Sequence, residues 1–182
     1  GLQSPGQSLT FGRMIADRRT SVAFTGHRTY RGAAADALRR TVGELYARGF
    51  RTFLSGMAVG FDLAAAEAVL ELRERMPGVR LVAAVPFRGQ EMRFSPADRE
   101  RFRRVLAEAD SVEVLAPAYH RGCYAVRNDF LVDNARVLVA WYDGSPGGTR
   151  YTVRRALGRG LEVVNLCPAA PVPPAPEPTL FG

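Results

Sequence analysis

Three short stretches of this 182-residue chain carry the residue types that handle phosphate. Thr25-Gly26-His27-Arg28 sets a small turn, an imidazole and a guanidinium side by side. A guanidinium grips a phosphate bidentately; the alternative is a capped loop with a surface arginine. Leu54 to Leu70 reads LSGMAVGFDLAAAEAVL, in which Ser55-Gly56 and Gly60 make a turn that a ligand can approach because no Cβ intervenes. Asp143-Gly144-Ser145-Pro146-Gly147-Gly148-Thr149 is the third, with paired glycines that expose backbone N–H groups and a hydroxyl at Thr149. Each stretch leads into a helix, whose unpaired N-terminal amides and dipole favour an anion. A plain glycine loop without a ligand is the other reading of the last two.

Further residues add charge to the same region. Asp62, opening a helix, would accept ribose hydroxyls, act as a general base, or simply complement the helix N-terminus. Glu67 lies deeper in that helix and reads as structural. Arg127-Asn128-Asp129 either reaches the crevice or forms a solvated helix face. Pro86 ends a strand and joins the candidate ligand-binding set. Tyr119, Tyr124, Trp141 and Tyr142 are candidates to stack on a base, Trp141 fitting better in the core.

Some chemistry is excluded. No GxGxxG opens the first helix and no acidic residue follows at the distance that binds a ribose, so a dinucleotide-dependent dehydrogenase does not fit. The Asp143–Thr149 loop lacks the lysine of a phosphate-hydrolysing P-loop. His27, His120, Cys123 and Cys167 supply neither two metal-ligand pairs nor a convincing Cys–His nucleophile, and no metal is expected.

The elements that position these residues follow from strand-like and helix-like runs in alternation. Strands are expected at Ser21–Phe24, Arg51–Leu54, Val79–Val85, Ser111–Leu115, Ala135–Trp141 and Leu161–Leu166. Helices are expected at Ala33–Arg48, Asp62–Arg75, Pro96–Ala109, Tyr124–Asn134 and Thr149–Arg159. Ser95 with Pro96 and Asp98 is a well-formed helix start. Ala135–Trp141 is a continuous apolar run suited to a central parallel strand. The alternation predicts an α/β, Rossmann-like three-layer fold with a mostly parallel central sheet and helices on both faces. Ligands in such sheets bind beyond the strands' carboxyl ends, where all three glycine loops lie. One domain is expected over residues 20–167, with a flexible extension at 1–19 and a proline-rich disordered tail at 168–182.

Composition sets the outer limits. Hydrophobic residues make up 47% of the chain, enough for a packed core. No apolar run is long enough to span a bilayer, no signal peptide is seen, and two cysteines make no disulfide framework, so a cytoplasmic protein is expected. The formal charge is +7 and all 25 basic side chains are arginine, scattered along the chain. That scatter gives little support to nucleic-acid binding. Outer helix faces suit a homo-oligomer, most simply a dimer, although no interface is identifiable.

Taken together these motifs resemble the SLOG superfamily, the Rossmann-like fold shared by the DprA/Smf and LOG families, and within it the YpsA-like branch. The resemblance covers Ser21 to Leu166. It rests on FTGHR at Phe24–Arg28, SGMAVGFDLAAAEAVL at Ser55–Leu70, VPF followed by Gln90-Glu91, RND at Arg127, and DGSPGGT at Asp143–Thr149. It implies a pocket for a nucleotide-derived ligand, nucleoside-monophosphate-like or ADP-ribose-like. Gly56, Gly60 and Asp62 would match one family glycine loop; Gly147, Gly148 and Thr149 would match the last. LOG proteins are phosphoribohydrolases whose loop reads PGGxGTxxE, and the resemblance carries Arg127 and Asp62 over as catalytic candidates. The position three after Thr149 is Thr152 here, where that loop has its catalytic Glu. DprA-like proteins bind single-stranded DNA. The expectation is therefore a binding or sensor protein needing no cofactor, with phosphate on the Gly56–Gly60 and Gly147–Thr149 loops and ribose on Asp62. LOG-type hydrolysis and DNA binding are the alternatives. A bulky residue at Gly60 is expected to abolish binding in a chain that still folds.

Overall fold

A computed structural model describes residues 8–10 and 17–168 of the chain. The elements are β1 (Ser8–Thr10), β2 (Ser21–Gly26), α1 (Ala35–Ala47), β3 (Thr52–Ser55), α2 (Phe61–Arg73), β4 (Arg80–Val85), α3 (Pro96–Glu108), β5 (Ser111–Val114), α4 (Cys123–Asp133), β6 (Val137–Trp141), α5 (Gly148–Gly158) and β7 (Glu162–Asn165). All seven strands pair in parallel, in the order β1-β5-β4-β3-β2-β6-β7.

Side chains alternate across each strand, so one sheet builds two cores. Val22 and Phe24 face α1, α2 and α3, whereas Ala23 faces α4 and α5. In α1, Leu38, Thr41, Val42 and Leu45 are buried, the spacing of a single helical stripe. In α2 most residues from Phe61 to Leu72 are buried, because that helix packs on the sheet with α1 and α3 beside it. Ser95 caps α3 by accepting from the Asp98 N–H at 3.2 Å.

The expected three-layer α/β architecture is therefore present, with element ends moved by a residue or two. One local expectation needs correction. Ser8–Thr10 lies within the stretch expected to be a flexible extension, yet it pairs with Ser111–Glu113 and covers an edge of unpaired backbone groups. The loop after β4 contains a 3-10 turn at Gln90–Arg93, entered through Gly89 in the left-handed conformation at φ 89°. The rest of 1–16, and the tail beyond Pro168, lie outside the described residues.

Candidate crevice at the strand switch point

The chain leaves β2 toward β3 on one side and returns to β6 on the other, so the switch point lies between β2 and β6. A crevice of about 360 Å³ opens there, within the usual range of ligand sites. Thr25 to Arg28 line it from the end of β2 and Pro146 to Thr149 from the loop after β6. Asp62 closes it from the start of α2, and Tyr124, Arg127 and Asn128 from α4.

A buried pair of opposite charges forms its floor. Asp62 and Arg127 are only 5% and 6% exposed. Asp62 Oδ2 accepts from the Ala58 N–H at 3.3 Å, and its Oδ1 has no hydrogen-bond partner. Burial pushes the Asp62 carboxyl up to about 6, against the pull of the Arg127 and Arg28 guanidiniums and the Ala58 amide. Burial likewise pulls Arg127 below the ordinary guanidinium range, opposed by the Asp62 charge. Arg127 does not close on Asp62. Its Nη1 donates to the Gly56 carbonyl at 2.6 Å and its Nε to Asn128 Oδ1 at 2.8 Å. Arg28, at the exposed lip, and Arg127 both lie against the Tyr124 ring, at 5.5 and 5.6 Å from its centroid. Two cations thus face one partly protonated carboxylate, and the crevice is left short of negative charge.

Helix termini add to that shortage. Both α2 and α5 begin at glycines, and neither first turn is capped by a side chain. Gly147 sits at φ 135°, and a Cβ built there would meet nothing within 4 Å. The start of α5 therefore faces open space with free amides, as an anion cradle requires. Thr149 is buried at that first turn.

Several residues expected as ligand contacts hold the loops of the site together. Ser55 is fully buried; its hydroxyl donates to the Asp62 carbonyl at 2.9 Å and accepts from the Met57 N–H at 3.2 Å. Gly56 is needed because a Cβ there would lie 2.7 Å from Arg127 Cδ. Gly60 lies against the backbone of His27 and Arg28, where it joins two loops. A Cβ on Gly26 would lie 2.4 Å from Phe61. His27 Nε2 accepts from the Asp143 N–H at 3.1 Å and lies 2.8 Å from its carboxylate, pinning the first loop to the last. The Asp143 carboxylate is held below its ordinary range, chiefly by hydrogen bonds from Ser145. Pro86 is buried away from the crevice. Thr152 is fully buried and its hydroxyl donates back to the Gly148 carbonyl at 2.9 Å, so α5 brings no carboxylate inward. Ala58 and Pro146, not singled out from sequence, complete the wall.

A larger groove of about 550 Å³ runs between α1 and α2. Several of its charges are matched: Arg101 pairs with Glu67 and Asp98, and Arg39 with Glu71. Arg28 and Arg31 also line it, but its carboxylates are all in ion pairs, whereas the smaller strand-end crevice holds the unpartnered Asp62 Oδ1.

The fold and crevice define a Rossmann-like domain with its open site at the sheet's switch point. Residues 23–160 match the model of the YspA SLOG family (YpsA), and the chain belongs to that family. It is 29% identical over 132 residues to a UPF0398 protein of Bacillus thuringiensis (strain Al Hakam), covering 71% of each chain. It is 28% identical over 137 residues to a UPF0398 protein of Bacillus cereus (strain G9842), covering 74% of each. The fold is similar to DNA processing protein A (DprA) from Streptococcus pneumoniae, with TM-score 0.59, 21% identity and coverage of 79% of this chain and 48% of that one. It is also similar to DprA from Helicobacter pylori, described for its single-stranded DNA binding mode, with TM-score 0.58, 17% identity and coverage of 79% and 63%. The chain thus spans less than two thirds of either DprA chain. No helix among the described residues is long and apolar enough to cross a membrane.

Proposed function

We propose that the strand-end crevice binds a nucleotide-derived ligand, nucleoside-monophosphate-like or ADP-ribose-like, as a binding or sensor site. The observation that carries this is the buried Asp62 Oδ1 without a partner, beside a buried Arg127 that does not pair with it. A carboxylate oxygen left bare in a polar crevice awaits hydroxyl donors, and a ribose supplies two. The phosphate belongs at the free start of α5, over Gly147–Thr149, within reach of Arg28 and Arg127. Hydrolysis of an N-glycosidic bond is less well supported. Glycoside hydrolases generally divide the work between two carboxylates, and Asp62 is the only carboxylate among the described residues that line this crevice.

The test is thermal unfolding with ribose 5-phosphate, AMP and ADP-ribose. A ligand that binds only the folded state raises the melting temperature with the logarithm of its concentration. Arg127→Met should weaken binding by roughly 10–100-fold, the worth of a charge-assisted hydrogen bond. No shift with any of the three would overturn the reading. Release of free base from AMP, lost in Asp62→Asn, would make the site a hydrolase instead.

A second reading rests on α5, whose outer face carries Arg150, Arg154, Arg155 and Arg159 around a groove of about 530 Å³ reaching Gly147. Such a face suits a polyanion, and one of the DprA proteins of similar fold is described as binding single-stranded DNA. Arg155 and Arg159 are already paired with Asp129 and Asp133, which halves the free charge and makes this reading the weaker one. Oligonucleotide affinity would then fall with salt at a slope of about two phosphates, near −1.4 for single strands. A salt-independent affinity, or none, would remove it.

A further inference from the structure

A second, smaller cavity adjoins the crevice. It has a volume of about 200 Å³ and shares Arg28, Ala58 and Tyr124 with it as a common wall. Its far side is made by Gln90 and Arg93 from the 3-10 turn after β4, and by Ser95 and Asp98 at the start of α3. Gln90 is the unusual member. It is 2% exposed, and its amide oxygen Oε1 has no hydrogen-bond partner. Buried side-chain polar atoms are nearly always satisfied, so the orphaned amide oxygen of a residue that lines a cavity needs a reason. The turn does not supply it: the Gln90 link to that turn is its backbone N–H, donated to the Phe87 carbonyl at 3.3 Å.

The shared wall is suited to a flat ring. Tyr124 has the Arg28 and Arg127 guanidiniums against it and Phe87 packed at 6.0 Å, edge to face. Heteroaromatic bases stack on such aromatic and guanidinium surfaces. Size separates the two compartments. The second falls below the range of about 300–1,000 Å³ that drug-sized ligands occupy, so it suits one ring system and not a whole nucleotide. A ligand with its phosphate at α5 and its sugar on Asp62 would pass its third part by Tyr124 toward Gln90.

Building on the proposed function, we propose that this cavity is the base subsite, in which Gln90 Oε1 selects a base with an exocyclic amino group. An amino-bearing edge gives the orphaned oxygen an N–H donor. A keto group at the same place sets oxygen against oxygen and leaves both unpaired. Glutamine reads adenine through its amino group in the same manner in nucleic-acid recognition.

The test is calorimetric titration with AMP, IMP and ribose 5-phosphate, since AMP and IMP differ by amino against keto at one position. The wild-type protein should bind AMP about tenfold tighter than IMP, the worth of one hydrogen bond. Gln90→Met should remove that difference and leave ribose 5-phosphate affinity unchanged. It also deletes an unsatisfied buried oxygen, so the unliganded variant should melt no lower than wild type. Tyr124→Leu should weaken AMP and IMP alike. Equal affinity of the wild-type protein for AMP and IMP overturns the base subsite, and that comparison needs no variant to fold. Ribose 5-phosphate binding without base discrimination would sink this inference and leave the strand-end reading standing. Binding of none of the three would sink both.

Discussion

A Gly60→Val variant is expected to lose about 3 kcal/mol or more of folding stability, with ligand affinity lost as a consequence of that damage. Gly60 has φ 85°, where a β-branched residue is strained by about 1–3 kcal/mol. Its Cβ would also sit 2.6 Å from the carbonyl oxygens of both His27 and Arg28. Those oxygens belong to backbone and cannot swing aside as a side chain would. The His27 carbonyl is moreover fixed by accepting from the N–H groups of Tyr30 at 3.2 Å and Phe61 at 3.3 Å. Chemical denaturation of the unliganded variant reads the effect directly. Gly147→Ala is the control. It incurs backbone strain at φ 135°, but its methyl group enters open space at the start of α5. It should lose affinity out of proportion to its smaller loss of stability. A Gly60→Val protein with wild-type stability and no affinity would restore Gly60 to the anion cradle.

That contrast shows where sequence patterns run out. All three glycine stretches do end strands and do meet at one place, because a parallel sheet sends every strand's carboxyl end to the same edge. Their alternation with helices is enough to bring the loops of Asp62 and Gly147 to one edge, whereas the residue pattern leaves Arg127 open between that crevice and a solvated helix face, and only the fold buries it there. What residue types could not reveal is which glycine is empty because a ligand needs the space and which because the protein does. Gly56 and Gly60 have Arg127 and the His27–Arg28 backbone where a side chain would go, and Gly147 has nothing. The same ambiguity held for polar groups. Ser55 and Ser145 suited phosphate by type, yet their hydroxyls are taken up within their own stretches. Gln90 is legible only as part of the VPF and Gln90-Glu91 piece of the resemblance, with no role attached to it; burial without a partner is a tertiary property. The Ser8–Thr10 strand was hidden for another reason: three residues are too few for period-two alternation to register.

Asp62 should make the unliganded protein less stable as pH rises from 4 to 7. Its carboxyl is raised from 3.8 to about 6 in the folded state, mainly by burial, so between those values the folded chain holds a proton that the unfolded chain has released. Stability falls with pH wherever the folded state binds more protons. The contribution is fully present below about pH 4 and is lost as pH rises through 6, and the displacement is worth about 3 kcal/mol. The charges facing the group are the Arg127 and Arg28 guanidiniums, which oppose the effect of burial. Asp62→Asn keeps the shape and removes the ionisation. It should be up to about 3 kcal/mol more stable than wild type at pH 7 and similar at pH 4. If Asp62 holds the ribose, the same variant should bind ribose 5-phosphate more weakly at pH 7, because an amide accepts hydroxyl donors less strongly than a carboxylate. The ligand's own phosphate titrates near pH 6 and will give some pH dependence in both proteins. The part contributed by Asp62 is the difference between the two affinity curves, which should widen as pH passes through 6. A variant more stable at neutral pH yet weaker in binding would mean that the fold carries the cost of this buried charge for the sake of the ligand. Lower stability at pH 7 would instead mean that Asp62 is a structural partner of Arg127, and parallel affinity curves would remove it from the sugar site.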